Sequence, residues 1–250
     1  MSRVNTVLGP IAAEELGLVA IHEHIGYGMP GSELDTKWWK TPEQAYEETV
    51  PKLRAFHEYG GGTFVDATGI CNGRDIDYYR SLSAKTGVHI VASTGFVGGD
   101  TALPFFANAS VAYLTAQFVH EITVGIGTSG GRAGIIKVGV SRGGRMTDLD
   151  KRIYRAAARA SLATGVPVLT HLAIDAENAI AIFNEEGLDL DRVLFGHVAT
   201  ALEFAKPVLY RAAYALAHNE PNSAVWVSQA RLASCEASWP APARAGNRFT

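Results

Sequence analysis

Short apolar segments alternate with longer amphipathic segments from residue 18 to residue 197, and this alternation limits the fold more than any other feature of the sequence. The apolar segments are LVAIH, GTFVDAT, VHIVASTGF, AGIIKVG, VPVLTH and RVLFGH, which begin at residues 18, 62, 88, 133, 166 and 192. Many of them are apolar almost throughout, as expected for parallel strands that are covered on both faces. Strands that alternate with helices at this spacing indicate repeated βα units.

The helix signals lie between these segments and are clearest at residues 41–60. Thr41 is a predicted N-cap, Pro42 falls in the first turn and Gly60 marks the end. Pro51 predicts a kink in this helix or its division into two, because proline removes a backbone hydrogen bond. Further helices are predicted at residues 75–87, 109–125, 147–165 and 176–187.

Six βα units indicate an α/β protein, and two architectures remain open from this pattern alone. A closed eight-stranded barrel and an open doubly wound sheet can both begin in this way. No GxGxxG motif follows the first strand, which weakens the version of the doubly wound sheet that binds dinucleotides.

The composition changes in the last part of the chain. Residues 201–250 contain no Asp and one Gly, whereas Ala, Pro, Arg and Ser accumulate. A helix over 201–218 and a short strand over 224–228 are predicted there, without a recognisable βα repeat.

Charge and composition narrow the range of partners. The net charge of −3 and a pI near 6.2 predict no nucleic-acid partner. No apolar run approaches the roughly 18 residues that cross a bilayer, and the first residues do not resemble a secretory signal, so no membrane association is expected. The only cysteines are Cys71 and Cys235, which fits a reducing cytoplasmic location.

Two histidines stand one residue apart at the end of the first predicted strand. Side chains alternate along a strand, so His22 and His24 are expected to share one direction and Glu23 the opposite one. An HxH pair alone is equally consistent with metal binding and with two partly buried histidines that have hydrogen-bond partners.

Three other strand ends favour metal binding. Lys137 lies inside an apolar strand, where an amine is costly to bury unless it is paired or chemically altered. His171 and His197 end the fifth and sixth strands. The carboxyl ends of barrel strands meet at one mouth, and neutral imidazoles that converge there suit zinc or a similar divalent ion. Asp66 and Thr68 end the second strand, and for these a supporting hydrogen-bond role is favoured over ligation.

The sequence resembles the phosphotriesterase family of the amidohydrolase superfamily. The resemblance rests on HEH at 22–24, RAGIIKVG at 132–139, RAAARASLATGVPVLTH at 155–171 and RVLFGH at 192–197. It covers roughly residues 5 to 198, in matching order and spacing.

The resemblance implies a TIM-type (β/α)8 barrel that holds two divalent metal ions, with zinc favoured over cobalt or manganese. His22 and His24 would hold the more buried ion, and His171 and His197 the more exposed one. Lys137 would be carboxylated to N6-carboxylysine and bridge both ions. A metal-bridging hydroxide would then attack a small-molecule lactone, ester or phosphotriester, and the family also tends to form homodimers.

The chain departs from the family in its last part. In the family an aspartate at the end of the eighth strand completes the metal site, but this chain has no Asp after Asp191. We therefore expect a partial hydrolase barrel at residues 1–198 and a tail at 199–250 that is either naturally divergent or translated from a shifted reading frame, with the change in composition favouring the frameshift. The leading hypothesis is a metal-dependent hydrolase of this type. The alternatives are a catalytically impaired or inactive remnant that lacks the strand-eight aspartate and, with little support, a metal-storage or metal-sensing protein.

Overall fold

A computed structural model describes residues 2–37, 40–171 and 174–197 of the chain. The predicted elements at 201–218 and 224–228 lie outside the described residues. The strands in chain order are β1 (Arg3–Thr6), β2 (Gly9–Ala12), β3 (Leu18–Glu23), β4 (Gly61–Asp66), β5 (His89–Gly95), β6 (Ile135–Val138), β7 (Val168–Thr170) and β8 (Val193–Leu194). The α-helices are α1 (Pro42–Glu58), α2 (Ile76–Thr86), α3 (Val111–Thr123), α4 (Asp148–Thr164) and α5 (Ala176–Glu185).

Six of these strands form one parallel sheet in the order β3-β4-β5-β6-β7-β8. Each strand pairs with its neighbours in sequence, and an α-helix follows each strand from β3 to β7. The connection from β3 to α1 is longer than the one from β4 to α2. This sequential order is that of an incomplete (β/α)8 barrel, because a doubly wound sheet would reverse its strand order at a switch point. The predicted fold class is confirmed, and of its two versions the barrel is the one observed.

The helix boundaries follow local capping. Thr41 accepts a hydrogen bond from the backbone N–H of Gln44, and the Gln44 side chain accepts one from the N–H of Thr41, which completes a capping box for α1. Thr147 forms a second capping box with Asp150 at the start of α4, whereas Asp75 and Ser110 each cap α2 and α3 by accepting one backbone hydrogen bond. A kink or a division was expected at Pro51, and the division does not occur, since α1 continues through this proline to Glu58.

Two apolar layers lie on opposite faces of the sheet. Ile136 and Val138 of β6 belong to the larger cluster, which includes helix residues such as Leu114 and Phe118 of α3. Ile135 belongs to a smaller cluster on the other face. Lys137 alternates with Ile136 and Val138, so it lies on the face of the smaller cluster, which is the inner side of the barrel.

The sequence did not predict the hairpin formed by β1 and β2. Its Val7 N–H donates to the carbonyl of Ile90, and the Asn5 side chain donates to the carbonyl of Ala133 at 2.9 Å. The hairpin therefore packs against the beginnings of β5 and β6, at the end of the sheet opposite the predicted site.

The loops that follow β5 and β6 are joined by one buried carboxylate. Asp150 at the start of α4 is fully buried and accepts hydrogen bonds from the Gly99 N–H, from Ser141 and from Thr147. These hydrogen bonds hold the loop that follows β6, the strand that carries Lys137.

Candidate metal centre

The first barrel strand presents its two histidines as the sequence predicts. His22 and His24 are partly buried and Glu23 between them is exposed, so the two imidazoles share a side. Their ring centroids are 5.8 Å apart. The pairing of β3 with β4 changes register between Ala20 and Glu23, which places an irregularity in the strand at the histidine pair.

Lys137 is fully buried and lies against the first of these histidines. Its Nζ is 2.6 Å from Nε2 of His22, although the two residues are 115 positions apart in sequence. Burial lowers the pKa of the Lys137 ammonium from its ordinary value of 10.5 to about 7, and the nearby Asp66 carboxylate opposes this shift. A considerable share of the amine is therefore neutral near pH 7.

The histidines of the later strands lie at the same end of the sheet. The His171 ring centroid is 5.8 Å from that of His22 and 6.4 Å from that of His24. Candidate ligand atoms of His22, His171 and His197 all lie within 4.8 Å of one another. His24 is outside this group of three. His197 has a left-handed backbone conformation with φ of 52°.

Glycines make room for these side chains. A Cβ on Gly196 would lie 2.4 Å from the carbonyl oxygen of Thr170 and 2.6 Å from the ring of His22. A Cβ on Gly139 would lie 2.9 Å from the Cβ of His171 and closer still to the carbonyl oxygen of Val97. The two glycines come after the observed strands β6 and β8, and they allow close packing around the histidines.

Asp66 and Thr68, at the end of β4 and just after it, make hydrogen bonds of the kind that the sequence predicts. Asp66 and Thr68 are fully buried, and the Thr68 hydroxyl oxygen lies 3.2 Å from Nδ1 of His24. Desolvation raises the pKa of the Asp66 carboxyl to about 6, against the lowering effect of the hydrogen bonds that it accepts.

Two further residues at this end of the sheet were not identified from the sequence. The Tyr27 ring, partly exposed, lies 4.9 Å from the His24 ring in an edge-to-face arrangement. Arg142, in the loop after β6, is ion-paired with Asp100 and lies near Met29. No sequence motif identifies Tyr27 or Arg142, because their positions near the histidines depend on how three separate loops fold.

The fold and the residues at its strand ends define an incomplete (β/α)8 barrel with a candidate metal centre at its mouth. The family model described as "Phosphotriesterase family" matches residues 2–209. This chain therefore belongs to the phosphotriesterase family.

Among curated proteins, the chain is similar to an "Aryldialkylphosphatase" of Saccharolobus solfataricus, with 31% identity over 75% of this chain and 60% of the relative. It is 32% identical to a "Phosphotriesterase homology protein" of Mycobacterium tuberculosis over 79% of this chain and 64% of the relative. It is also 28% identical to an "N-acetyltaurine hydrolase" of Xenopus tropicalis, over 82% of this chain and 69% of the relative. The matches thus span 60–64% of the length of the first two relatives.

The first and third of these relatives are named as hydrolases of different substrates, so family membership supports hydrolase chemistry of the family type without fixing a substrate. Among the residues that the structure describes, no helix is long and apolar enough to cross a membrane.

Proposed function

We propose that this chain is built as a metal-dependent hydrolase, with His22, His24, Lys137, His171 and His197 as its metal ligands. The observation that carries the proposal is the contact between Nζ of the fully buried Lys137 and Nε2 of His22, with His171 beside them. A buried amine against an imidazole has no evident packing purpose, whereas both groups are suited to hold metal ions.

The donor set fits divalent metal ions. Imidazole nitrogens are ligands for zinc, and cobalt and manganese are alternatives at a site that also contains an oxygen donor. Bound ions would lower the pKa of a water molecule and polarise a carbonyl or phosphoryl oxygen of a substrate. We propose two such ions, with His22 and His24 on one and His171 and His197 on the other.

Lys137 would supply the oxygen donor by reacting with carbon dioxide. The neutral amine nitrogen forms a bond to the carbon of CO2 and releases one proton to solvent, which leaves an anionic carbamate. The lowered pKa of Lys137 supports this step, because only the neutral amine has a lone pair available. A carbamate at Lys137 would offer two oxygens as metal ligands.

The proposed substrates are small molecules with a lactone, ester or phosphotriester group. The relative named N-acetyltaurine hydrolase extends this range to an amide bond. Tyr27 lies beside His24 and is partly exposed, so it is positioned to contact such a substrate. We also propose that the protein is cytoplasmic and forms a homodimer.

One observation favours a second candidate function, a catalytically impaired member of the family. The sequence contains no Asp after Asp191. We therefore propose that residues 1–198 form the hydrolase barrel and that 199–250 form a divergent or frame-shifted tail. The nucleotide sequence around codon 198 tests this, since a family-like continuation with a strand-ending aspartate in another frame would establish a frameshift.

The deciding experiment uses this chain freed of metal and then loaded with zinc, cobalt or manganese. Bound metal is counted by elemental analysis, and hydrolysis is followed with a lactone, an aryl phosphotriester and N-acetyltaurine. Because an anionic ligand is missing, we expect fewer than two tightly bound ions and slow or absent hydrolysis. Binding of no divalent ion would refute the metal proposal, and turnover in the ordinary enzyme range of about 1–10³ per second would refute the impairment.

A further inference from the structure

A buried chain of hydrogen bonds runs from the end of β4 to one of the histidines. Asp66 is the last residue of β4, and its Oδ1 accepts a hydrogen bond of 2.8 Å from the hydroxyl of Thr68. The same hydroxyl oxygen lies 3.2 Å from Nδ1 of His24. Asp66 and Thr68 are both fully buried, so solvent does not compete for these contacts.

The direction of these bonds follows from the number of hydrogens available. A threonine hydroxyl has a single hydrogen, and here Thr68 donates it to Asp66. The hydroxyl oxygen can therefore only accept a hydrogen bond from His24, which requires the hydrogen of the neutral imidazole to be on Nδ1. The lone pair of that ring is then on Nε2, the nitrogen through which it can bind a metal ion.

Asp66 holds the backbone beside His24 as well as the ring. Its Oδ1 also accepts a hydrogen bond of 2.8 Å from the N–H of Ile25, and its Oδ2 accepts one from the N–H of Thr68 at 3.3 Å. The hydroxyl of Tyr79, another fully buried residue, donates to the carbonyl of Ile25 at 3.0 Å. Asp66 and Tyr79 thus hold the backbone of Ile25, the residue that follows His24, and Ile25 and Thr68 hold the Asp66 carboxylate.

We propose that Asp66, acting through Thr68, is a positioning residue that sets the tautomer and the orientation of His24. The proposal assigns neither residue as a metal ligand or as a group that contacts substrate. Its consequence for metal binding rests on the proposed function, whereas its consequence for the tautomer of His24 does not. Groups that orient a ligand histidine in this way commonly change metal affinity by 10–100-fold when they are removed.

The first test measures the tautomer without metal. Ring ¹⁵N chemical shifts of His24 are recorded by NMR on the metal-free protein at a pH above 7, with the signal assigned by its loss in His24→Gln. We expect the Nδ1–H form in the unmodified protein and a shift toward Nε2–H in Thr68→Val, which has nearly the same shape but no hydroxyl. An Nε2–H form in the unmodified protein would overturn the proposal even if Thr68→Val does not fold.

The second test measures metal affinity by equilibrium dialysis with zinc and with cobalt. We expect Thr68→Val to weaken binding about 10–100-fold, and Thr68→Ser, which keeps the hydroxyl, to restore most of the loss. The matched control is Thr86→Val in α2, whose buried hydroxyl donates to the Leu82 carbonyl of its own helix. Equal losses in Thr68→Val and Thr68→Ser would show a packing role and refute the proposal.

The two tests separate this inference from the proposed function. If the unmodified chain binds no divalent ion, the metal proposal fails while the tautomer measurement still decides the role of Asp66 and Thr68. If the chain binds metal and Thr68→Val binds it equally well with an unchanged His24 tautomer, the positioning role alone is refuted.

Discussion

Nζ of Lys137 and Nε2 of His22 are 2.6 Å apart across the inner side of the sheet, between strands that are not neighbours. The lysine belongs to β6 and the histidine to β3, with β4 and β5 between them in the sheet order. Such a contact needs a strongly curved sheet, because neighbouring strands alone are about 4.8 Å apart. The metal ligands proposed at the mouth of the barrel can therefore meet only because the sheet is curved.

The first prediction concerns Lys137 as a bridging ligand. Lys137→Met keeps a long apolar stem but has no amine to carboxylate, so we expect a loss of metal affinity of at least about 100-fold that added bicarbonate does not restore. Metal content after dialysis and the carbamate signal in ¹³C NMR with labelled bicarbonate are the measurements. The exposed Lys151→Met is the control. Two tightly retained ions in Lys137→Met would exclude a bridging role.

The second prediction concerns the pH dependence of folding in metal-free, CO2-free buffer. The pKa of Lys137 is about 7 in the folded protein and near its ordinary 10.5 in the unfolded chain. Between these values the unfolded chain binds the additional proton, so the folded state gains stability as pH rises. Below about 7 both states are protonated and the dependence disappears.

The comparison variant for this pH dependence is again Lys137→Met, which lacks the titrating group. Urea unfolding at several pH values from about 7 to about 10 should show the unmodified protein gaining stability relative to Lys137→Met as pH rises. A constant difference across this range would contradict the depressed pKa of Lys137.

The third prediction concerns Gly196. Gly196→Ala places a methyl group 2.6 Å from the His22 ring and 2.4 Å from the Thr170 carbonyl oxygen, so the ring must move. We expect weaker metal binding and destabilisation of about 1–3 kcal/mol, as for overpacking elsewhere. Gly28→Ala is the control, because its new methyl group meets only the side chain of Ser32. Unchanged metal affinity in Gly196→Ala would show that His22 does not need its present position.

The fourth prediction concerns the buried ion pair of Arg74 and Glu121. The guanidinium donates to both carboxylate oxygens at 2.7 and 2.9 Å, and the two side chains are 8% and 4% exposed. It also donates to the Ser93 carbonyl, so the pair connects the loop after β4 with β5 and α3. Removing one partner leaves a buried charge without compensation.

We expect Arg74→Met or Glu121→Leu alone to lower the free energy of unfolding by about 3–5 kcal/mol. The double variant should recover most of this loss, because it leaves no unpaired charge. Urea unfolding of all four proteins forms a double-mutant cycle. Additive losses in the double variant would show that the two charges do not act as a pair.

Most of the sheet and helices could be predicted because they repeat one local pattern. The helix that begins at Pro42 after the Thr41 cap is an example, since its capping residues are adjacent in sequence. The hairpin β1–β2 was missed because its strands have four residues each, and its contacts to Ile90 and Ala133 are distant in sequence. Pro51 was expected to kink or divide α1, and the helix is not divided there.

The candidate site was predicted in its residue types more completely than in its geometry. Histidines at strand ends and a lysine in an apolar strand are visible in the sequence. The hydrogen bond from Thr68 to Asp66, and the position of Tyr27 beside His24, depend on how separate loops fold. Local patterns do not contain this information, because each contact depends on the assembled sheet.

The sequential strand order also sets the timing of site assembly. His22 is available early in synthesis, but Lys137 can reach it only after β4 and β5 have taken their places between β3 and β6. His171 and His197 follow later still in the chain. A metal ion that needs donors from all of these strands would bind only after nearly the whole described sheet has formed. Metal binding would then stabilise the folded sheet and would not direct the early steps of folding.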